Sequence, residues 1–361
     1  TRKESSAASD VYKRQGYIED PVNSATGNFV LPETDVVFGG PSQGLAISRM
    51  YNSTLAAAYD EPEACGVLGP GWSTILDQRL IVTDEQARWV RDDGREIVFP
   101  LTGRNGASGS PTAEGCHTVE GPWRAAQDNV WISRGDAADL AGVQGATVAG
   151  PVWIVADNTG SRLIFTAEGA WVGSTSGAGD GIWIERRDGM AISMHSEWGR
   201  SVDLFYAQGR LAKAVASDGR SVSYAYDSHG RLVEVTRPDG VHRYQWDGWL
   251  LSQVIDASGV AQCVNTFDEA GRIRTQRDAT GHLTRFTYLP GGVTVADDGQ
   301  GHHCNTWISD ARGRTVGIID ADGQRTSMLY DRYGNLVSAT DRAGKVCLLY
   351  TSPSPRDATL S

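Results

Sequence analysis

The sequence predicts an all-β protein: an N-terminal β-domain followed by a train of β-hairpins that forms a spiralling sheet. Three observations carry this expectation. The chain holds 43 Gly, with 11 Trp and 12 Tyr against 7 Phe; Gly supplies the positive φ that tight turns need, and the large aromatics suit pleated faces. Short apolar runs recur between Gly, Pro, Asp and Asn, the punctuation of strands, and no long run keeps helical period. The glycines at 271, 292, 313 and 334 are spaced 21 residues apart each time. A fixed step of that size marks a stacked repeat.

Composition narrows the function classes. Of the 361 residues, 40% are hydrophobic and 21% charged, which suits a globular chain with a core. No stretch approaches the roughly 18 consecutive apolar residues of a membrane-spanning helix. The formal net charge is −11, opposite to the clustered Lys and Arg of a nucleic-acid surface, so no nucleic-acid partner is expected. The five cysteines, at 65, 116, 263, 304 and 347, form no CxxC pair. They supply neither a disulfide framework nor a zinc ribbon.

The two ends read differently from the rest. Asp10 to Gln15 back-translates to GAT GTG TAT AAG AGA CAG, and its reverse complement, read one base over, encodes the CLLYTS that begins at Cys347. Residues 1–15 and 347–361 therefore resemble translated sequencing adapter flanking an internal piece of a longer protein. Without them, 28 basic residues stand against 41 acidic ones. The intervening chain divides into an N-terminal β-domain over 16–125, a β-rich connecting segment with loops over 126–183, and repeats of about 21 residues over 184–346.

In the N-terminal domain, Asn28–Leu31, Thr34–Phe38 and Leu45–Tyr51 read as strands, as do Arg79–Val82, Ala87–Arg91 and Glu96–Pro100, with Asp92-Asp93-Gly94 as a hairpin turn. Leu101–Gly115 is Gly- and Ser-rich and reads as a loop; Asp136–Gly150 reads as a short helix or an irregular insertion. Trp153–Ala156 and Arg162–Phe165 follow as strands.

The repeat is visible when Tyr226-Asp227-Ser-His-Gly230-Arg231-Leu232 is set beside Phe267-Asp268-Glu-Ala-Gly271-Arg272-Ile273, Asp310-Ala-Arg-Gly313-Arg314 and Tyr330-Asp331-Arg-Tyr-Gly334-Asn335-Leu336. A second turn family interleaves, at Pro238-Asp239-Gly240 and at the four-residue turns opening on Asp256, Asp278, Asp320 and Asp341. Each unit thus holds two turns and two short strands. The Asp side chain is expected to accept from backbone N–H groups two or three residues on, and the Gly to take the left-handed conformation. Tyr330 reads as a core plank. Two units depart from the pattern: Trp246-Asp247-Gly248 is short, and Leu289-Pro290-Gly291-Gly292 lacks the Asp. A lone hairpin is marginal in water, so the units must stack side by side, and the resulting ribbon must coil because sheets twist.

These motifs resemble the YD repeat of Rhs proteins, shared with wall-associated bacterial proteins and teneurins. Asp20-Pro-Val-Asn-Ser-Ala-Thr-Gly-Asn-Phe29, Arg49-Met-Tyr51-Asn52-Ser53 and Leu68-Gly-Pro-Gly-Trp72-Ser73 resemble the block that precedes the repeats in bacterial Rhs proteins. The resemblance implies a piece of a β-cocoon shell that encloses a C-terminal toxin. It further implies delivery to neighbouring cells in interbacterial competition, often by type VI secretion. Its implied partners are the toxin domain of the same full-length chain and a spike or PAAR-type tip. Self-cleavage and toxin activity would lie outside this stretch. The structural-repeat residues are Tyr226, Asp227, Gly230, Phe267, Asp268, Gly271, Gly292, Gly313, Tyr330, Asp331 and Gly334.

Other constellations read as structure. Gly40-Pro41-Ser42-Gln43-Gly44 matches a nucleophile elbow, but that motif needs a helix after the Ser, and Leu45 to Arg49 alternates like a strand. His302-His303-Cys304 offers metal-ligating types, yet neighbours on a strand point to opposite faces. Asp297-Asp298-Gly299 and Asp320-Ala-Asp322-Gly323 resemble calcium loops but lack the full ligand set. No catalytic, metal or cofactor residue is expected. An adhesion or carbohydrate-binding module, with Trp and Tyr on an outer face, is the alternative.

Overall fold

The computed structural model describes residues 17–18, 21–39, 44–58, 65–101, 121–125, 129–137, 148–176, 180–331 and 334–348. Strands dominate it. Among the described residues the helical elements are Ser53–Ala57, whose first turn is capped by Asn52 Oδ1 accepting from Leu55 N at 2.9 Å, and the single turn Ile75–Asp77. Neither was expected, because one turn is too short to leave a helical period in the sequence. The chain forms two compact units, Leu31–Tyr244 and the remainder, in which Gln245 onward packs with the segment ending at Val30.

In the Leu31–Tyr244 unit, Val30–Val37, Ala46–Asn52 and Trp72–Thr74 form one antiparallel sheet. The two strands expected between Asn28 and Phe38 are one continuous strand. Pro32 does not interrupt it, because the strand lies at the sheet edge, where a missing N–H costs no ladder bond. A second sheet joins Arg79–Val82, Gln86–Val90 and Glu96–Pro100, with Gly94 (φ +78°) closing the expected turn through Gly94 N to Arg91 O at 3.1 Å. The predicted loop at 101–115 falls, after Leu101, outside the described residues, as does 138–147. Asp136 itself ends the strand Val130–Asp136. From there an antiparallel meander runs strand by strand to Gly240–Asp247. In Ser201–Ala207, Val202 and Leu204 are buried while Asp203 and Phe205 face out, the two-residue alternation of a sheet with one covered face.

In the other unit an antiparallel meander runs from Leu250–Ile255 to Val346–Leu348. Both departing repeats keep their strands. Leu289 pairs with Val293 across Pro290–Gly292, with Gly291 and Gly292 at φ +83° and +74°, so two glycines replace the Asp-led turn. Gly248 (φ +56°) closes the shortened one.

One turn geometry recurs throughout. Gly230, Gly271, Gly292, Gly313 and Gly334 all have φ between +72° and +89°. At Asp227, the Gly230 N–H donates to the Asp carbonyl at 3.0 Å, while Asp227 Oδ1 accepts from His229 N and Arg231 N at 2.9 and 3.0 Å. Asp268, Asp310, Asp256, Asp278, Asp320 and Asp341 repeat the arrangement. The carboxylate therefore reaches two and four residues on, not two and three, because the N–H three residues on is taken by the Asp carbonyl itself. This is a type I turn followed by a left-handed Gly bulge, and the register shifts at Tyr226, Phe267, Ser309 and Tyr330 mark it.

Burial pushes the Asp227, Asp268 and Asp310 carboxyls up, but the N–H donors and the following Arg outweigh it, so each lies below the usual carboxylate range. A carboxylate depressed on folding stabilises above its unfolded pKa of about 3.9 and loses that contribution as pH falls through its lower folded value. The urea midpoint is therefore expected to stay level from pH 8 to about 5 and to fall below about pH 4. Asp268→Ala is expected to cost about 1 kcal/mol at pH 7. A midpoint unchanged between pH 5 and 2.5 contradicts both expectations.

Candidate functional site

The repeat residues are placed by their turns. Asp227, Asp268 and Asp331 open turns; Gly230, Gly271, Gly292, Gly313 and Gly334 close them. Tyr226, Phe267 and Tyr330 end strands, pairing with Leu232, Ile273 and Leu336. Tyr330 is half-buried and lies beneath the Arg314 guanidinium, 4.8 Å from ring centre, so it is a stacking partner and not a core plank.

Sequence reasoning assigned no role to the Arg that follows each turn Gly. Arg272 pairs with its own turn through Asp268 Oδ2 at 2.7 Å and also lies over the Tyr288 ring at 4.6 Å. Arg314 does the same with Asp310 and Tyr330. Arg210 lies 5.9 Å from the centre of Tyr226. In every case the Tyr is 16 residues beyond the Arg. The signal was present as Gly-Arg at 209, 230, 271 and 313; what was missing was the Arg-to-Tyr spacing. The phenols are tied to main chain as well: Tyr226 Oη donates to Leu211 O at 2.7 Å and Tyr288 Oη to Ile273 O at 2.6 Å. Burial pushes both phenols up, so they remain donors at any physiological pH.

A buried polar cluster fastens the Val30–Val37 and Ala46–Asn52 strands to the repeats. Arg49 Nε meets Asp35 Oδ2 at 2.8 Å with both side chains wholly buried. Arg49 Nη2 donates to Tyr244 Oη at 2.7 Å, and Tyr224 Oη donates to Asp35 Oδ2 at 2.9 Å. The guanidinium also lies 4.5 Å over Trp72, which packs edge-on against Tyr51 and Tyr244. Arg237 Nη1 completes the group with Glu33 at 2.8 Å. Burial alone would lower the Arg49 pKa; Asp35, Tyr244 and Glu33 outweigh it and raise it, so the charge persists. Arg49 belongs to the block whose resemblance was noted, but nothing in the sequence pairs it with Asp35, Tyr224 or Tyr244. Those contacts are set by the third dimension.

Among the described residues the remaining constellations show no reaction geometry. Ser42 lies outside the described residues, and the chain beyond it is the strand Ala46–Asn52. His302, His303 and Cys304 sit in the loop between Val293–Asp297 and Asn305–Ser309, not on a strand; His303 adopts φ +52°. Among the described residues no group of three or more His, Cys, Asp or Glu is placed to hold a metal ion. Asp297 is engaged by Gly299 N at 2.7 Å and by Arg285, and Asp320 by Gln324 N and Arg342, so these acids serve turns and ion pairs. Ser193 Oγ lies 2.6 Å from His195 Nε2, but Glu185 approaches that same nitrogen at 3.7 Å. A relay needs the acid on the other ring nitrogen, so this is not a catalytic triad. Among the described residues no helix is long and apolar enough to cross a membrane.

Residues 19–99 match a family model described as a domain of unknown function, DUF6531. Residues 205–242, 229–261 and 310–346 match the RHS Repeat model. The chain is 24% identical over 323 residues to the tRNA nuclease WapA of Bacillus subtilis (strain 168), covering 86% of this chain and 13% of that protein. It is 25% identical over 226 residues to the "Probable deoxyribonuclease RhsB" of Dickeya dadantii (strain 3937), covering 45% of this chain and 16% of that one. Among solved structures, the TcdB2-TccC3 crystal structure aligns at 13% identity and a TM-score of 0.29, over 85% of this chain and 16% of that chain. The Tc holotoxin pore of Photorhabdus luminescens aligns at 15% identity and 0.29, over 71% and 13%. The chain thus spans 13–16% of the length of these curated relatives.

Removing one partner of a buried pair strands the other charge. Arg49→Ala is accordingly expected to cost about 3–5 kcal/mol in urea unfolding. The double replacement of Arg49 by Met and Asp35 by Leu is expected to recover most of that loss. A double variant no more stable than Arg49→Ala refutes the buried-charge account.

Proposed function

We propose, taking as premise that the chain is an Rhs/YD-repeat protein, that it forms part of the wall of a toxin shell. In this reading the full-length protein encloses a C-terminal toxin domain and carries it out of the cell to neighbouring bacteria. A type VI machine with a PAAR-type tip is the delivery route and partner. The residues described here act as wall and not as enzyme. Nuclease activity of the kind named for the relatives belongs to another part of the full-length chain.

The observation that supports this best is the repeated hairpin with one covered and one open face, locked turn to turn by Asp, Arg and Tyr. Such a unit can be added without limit while the sheet stays closed to its neighbours through backbone hydrogen bonds. The carbohydrate-binding alternative needs a row of exposed aromatics. Among the residues whose burial is described no Tyr is exposed, and the exposed Trp and Phe are Trp198 and Phe205.

The test uses the full-length protein with its C-terminal domain. Limited proteolysis is expected to leave that domain intact at protease levels that digest it when it is released by mild denaturant. Cryo-electron microscopy is expected to show density inside a hollow repeat shell. Cleavage of the C-terminal domain before any repeat, together with a solid or extended repeat, would sink the proposal.

A further inference from the structure

Two loops from the N-terminal part of the chain meet the repeats in the same way, one within each unit. In the Leu31–Tyr244 unit the strand start Gly209-Arg210-Leu211 receives the loop Gly66-Val67-Leu68-Gly69. Leu211 N donates to Val67 O at 2.9 Å, the Leu211 carbonyl accepts from Tyr226 Oη at 2.7 Å, and Arg210 Nη1 reaches Gly66 O at 3.5 Å. In the other unit Gly271-Arg272-Ile273 receives the turn Asn23-Ser-Ala-Thr-Gly27. Ile273 N donates to Gly27 O at 2.9 Å, the Ile273 carbonyl accepts from Tyr288 Oη at 2.6 Å, and Arg272 covers the Tyr288 ring. Leu211 and Ile273 are both fully buried, and each lies 15 residues before its Tyr.

Each visitor presses a glycine against the repeats: Gly27, whose own carbonyl is taken, against the frame's Tyr288, and Gly69, two residues after the Val67 whose carbonyl is taken, against the turn that follows the frame. Gly27 has φ +70°, and a Cβ there would stand 2.5 Å from the Tyr288 ring. Gly69 has φ +90°, and a Cβ there would run into the Gly230 carbonyl oxygen. Both loops are held in shape by their own bonds: Gly27 N to Asn23 O at 2.8 Å, and Gly69 N to Gly66 O at 3.0 Å. The Arg314-Thr315…Tyr330 frame has a Thr in place of Leu211 or Ile273; its phenol faces Met328 Sδ at 3.9 Å, and it meets the same N-terminal turn through side chains, Thr315 Oγ1 lying 3.5 Å from Ser24 Oγ. The Tyr hydroxyl is thus seated on the main chain in the two frames whose strand-start N–H takes a loop carbonyl.

We propose that the Arg-X…Tyr frame of a repeat is a docking socket for a glycine-bearing turn. The free X N–H takes one main-chain carbonyl of the turn, the phenol and guanidinium wall the opening, and the absent Cβ is what the socket selects. The occupant is the chain's own N-terminal segment, seated on the repeats through Gly27 and Gly69. The proposal goes beyond the wall reading and does not depend on what the wall encloses.

Hydrogen–deuterium exchange on the whole chain, resolved to single amides, tests it. Gly27→Ala is expected to speed exchange of the Ile273 amide roughly tenfold or more, the equivalent of about one hydrogen bond, while Thr275 and Arg285 amides keep their rates. Gly281→Ala is the control, since Gly281 has φ +88° with open space around its would-be Cβ. It carries the same backbone strain and is expected to leave Ile273 protected. Tyr288→Phe keeps the ring, and is expected to raise exchange across residues 21–30 by severalfold through loss of its hydroxyl. Unchanged Ile273 exchange in Gly27→Ala, equal loosening by Gly281→Ala, or unchanged 21–30 exchange in Tyr288→Phe overturns the socket. Protease protection of a C-terminal domain plays no part in this readout, so either idea can fail alone.

Discussion

The left-handed glycine that closes each turn lets the Asp carbonyl take the Gly N–H while the Asp carboxylate grips the N–H groups on either side. An L-residue resists that φ because its Cβ crowds the following carbonyl. The consequence spreads outward from the turn. The extra residue becomes a bulge that splays the strand start, and at Ile273 the N–H turns away from its own hairpin to Gly27 O. Arg and Tyr then fill the widened space, one salt-bridged to the turn behind it and stacked on the ring ahead. Turn chemistry, strand register and lateral packing are one arrangement here, since removing the bulge would remove the site in which the Arg and Tyr meet.

The Arg49–Asp35 pair works differently. Desolvating both groups is costly, and their attraction offsets that cost only where every remaining donor and acceptor finds a partner. Tyr224 and Tyr244 each supply one such partner from two repeat strands and Trp72 covers the guanidinium face, while Asp35 Oδ1 and Arg49 Nη1 make no hydrogen bond. The pair thus adds less net stability than directional specificity: only one seating of the N-terminal sheet brings four polar groups from four strands together.

The all-β class, the turns and the 21-residue step were legible because they are written locally. Asp and Gly at fixed offsets encode a backbone shape, and alternation encodes a covered face. The reach of the carboxylate was misjudged by one residue, since the hydrogen bond inside the turn competes for the same N–H. The Arg–Tyr stack was within reach of sequence reading, because its 16-residue spacing is periodic, yet it emerges only when turn and strand are considered together. The Arg49 cluster was beyond reach: Asp35 and Tyr244 are separated by roughly two hundred residues, and contacts at that distance depend on loop closure and packing that no local pattern reports. The half-burial of Tyr330 was likewise invisible, because exposure is a property of neighbours and not of the residue.

The bonds that seat the two N-terminal loops on Leu211 and Ile273 run through carbonyl oxygens, and the closest approach runs through the emptiness at a glycine. A lock of this kind has a key with almost no lettering. Val67 or Thr26 can drift in identity without altering those carbonyl bonds, while a single methyl group at either glycine jams the fit. The severest substitutions should therefore include two positions that a chemist scanning for functional groups would pass over.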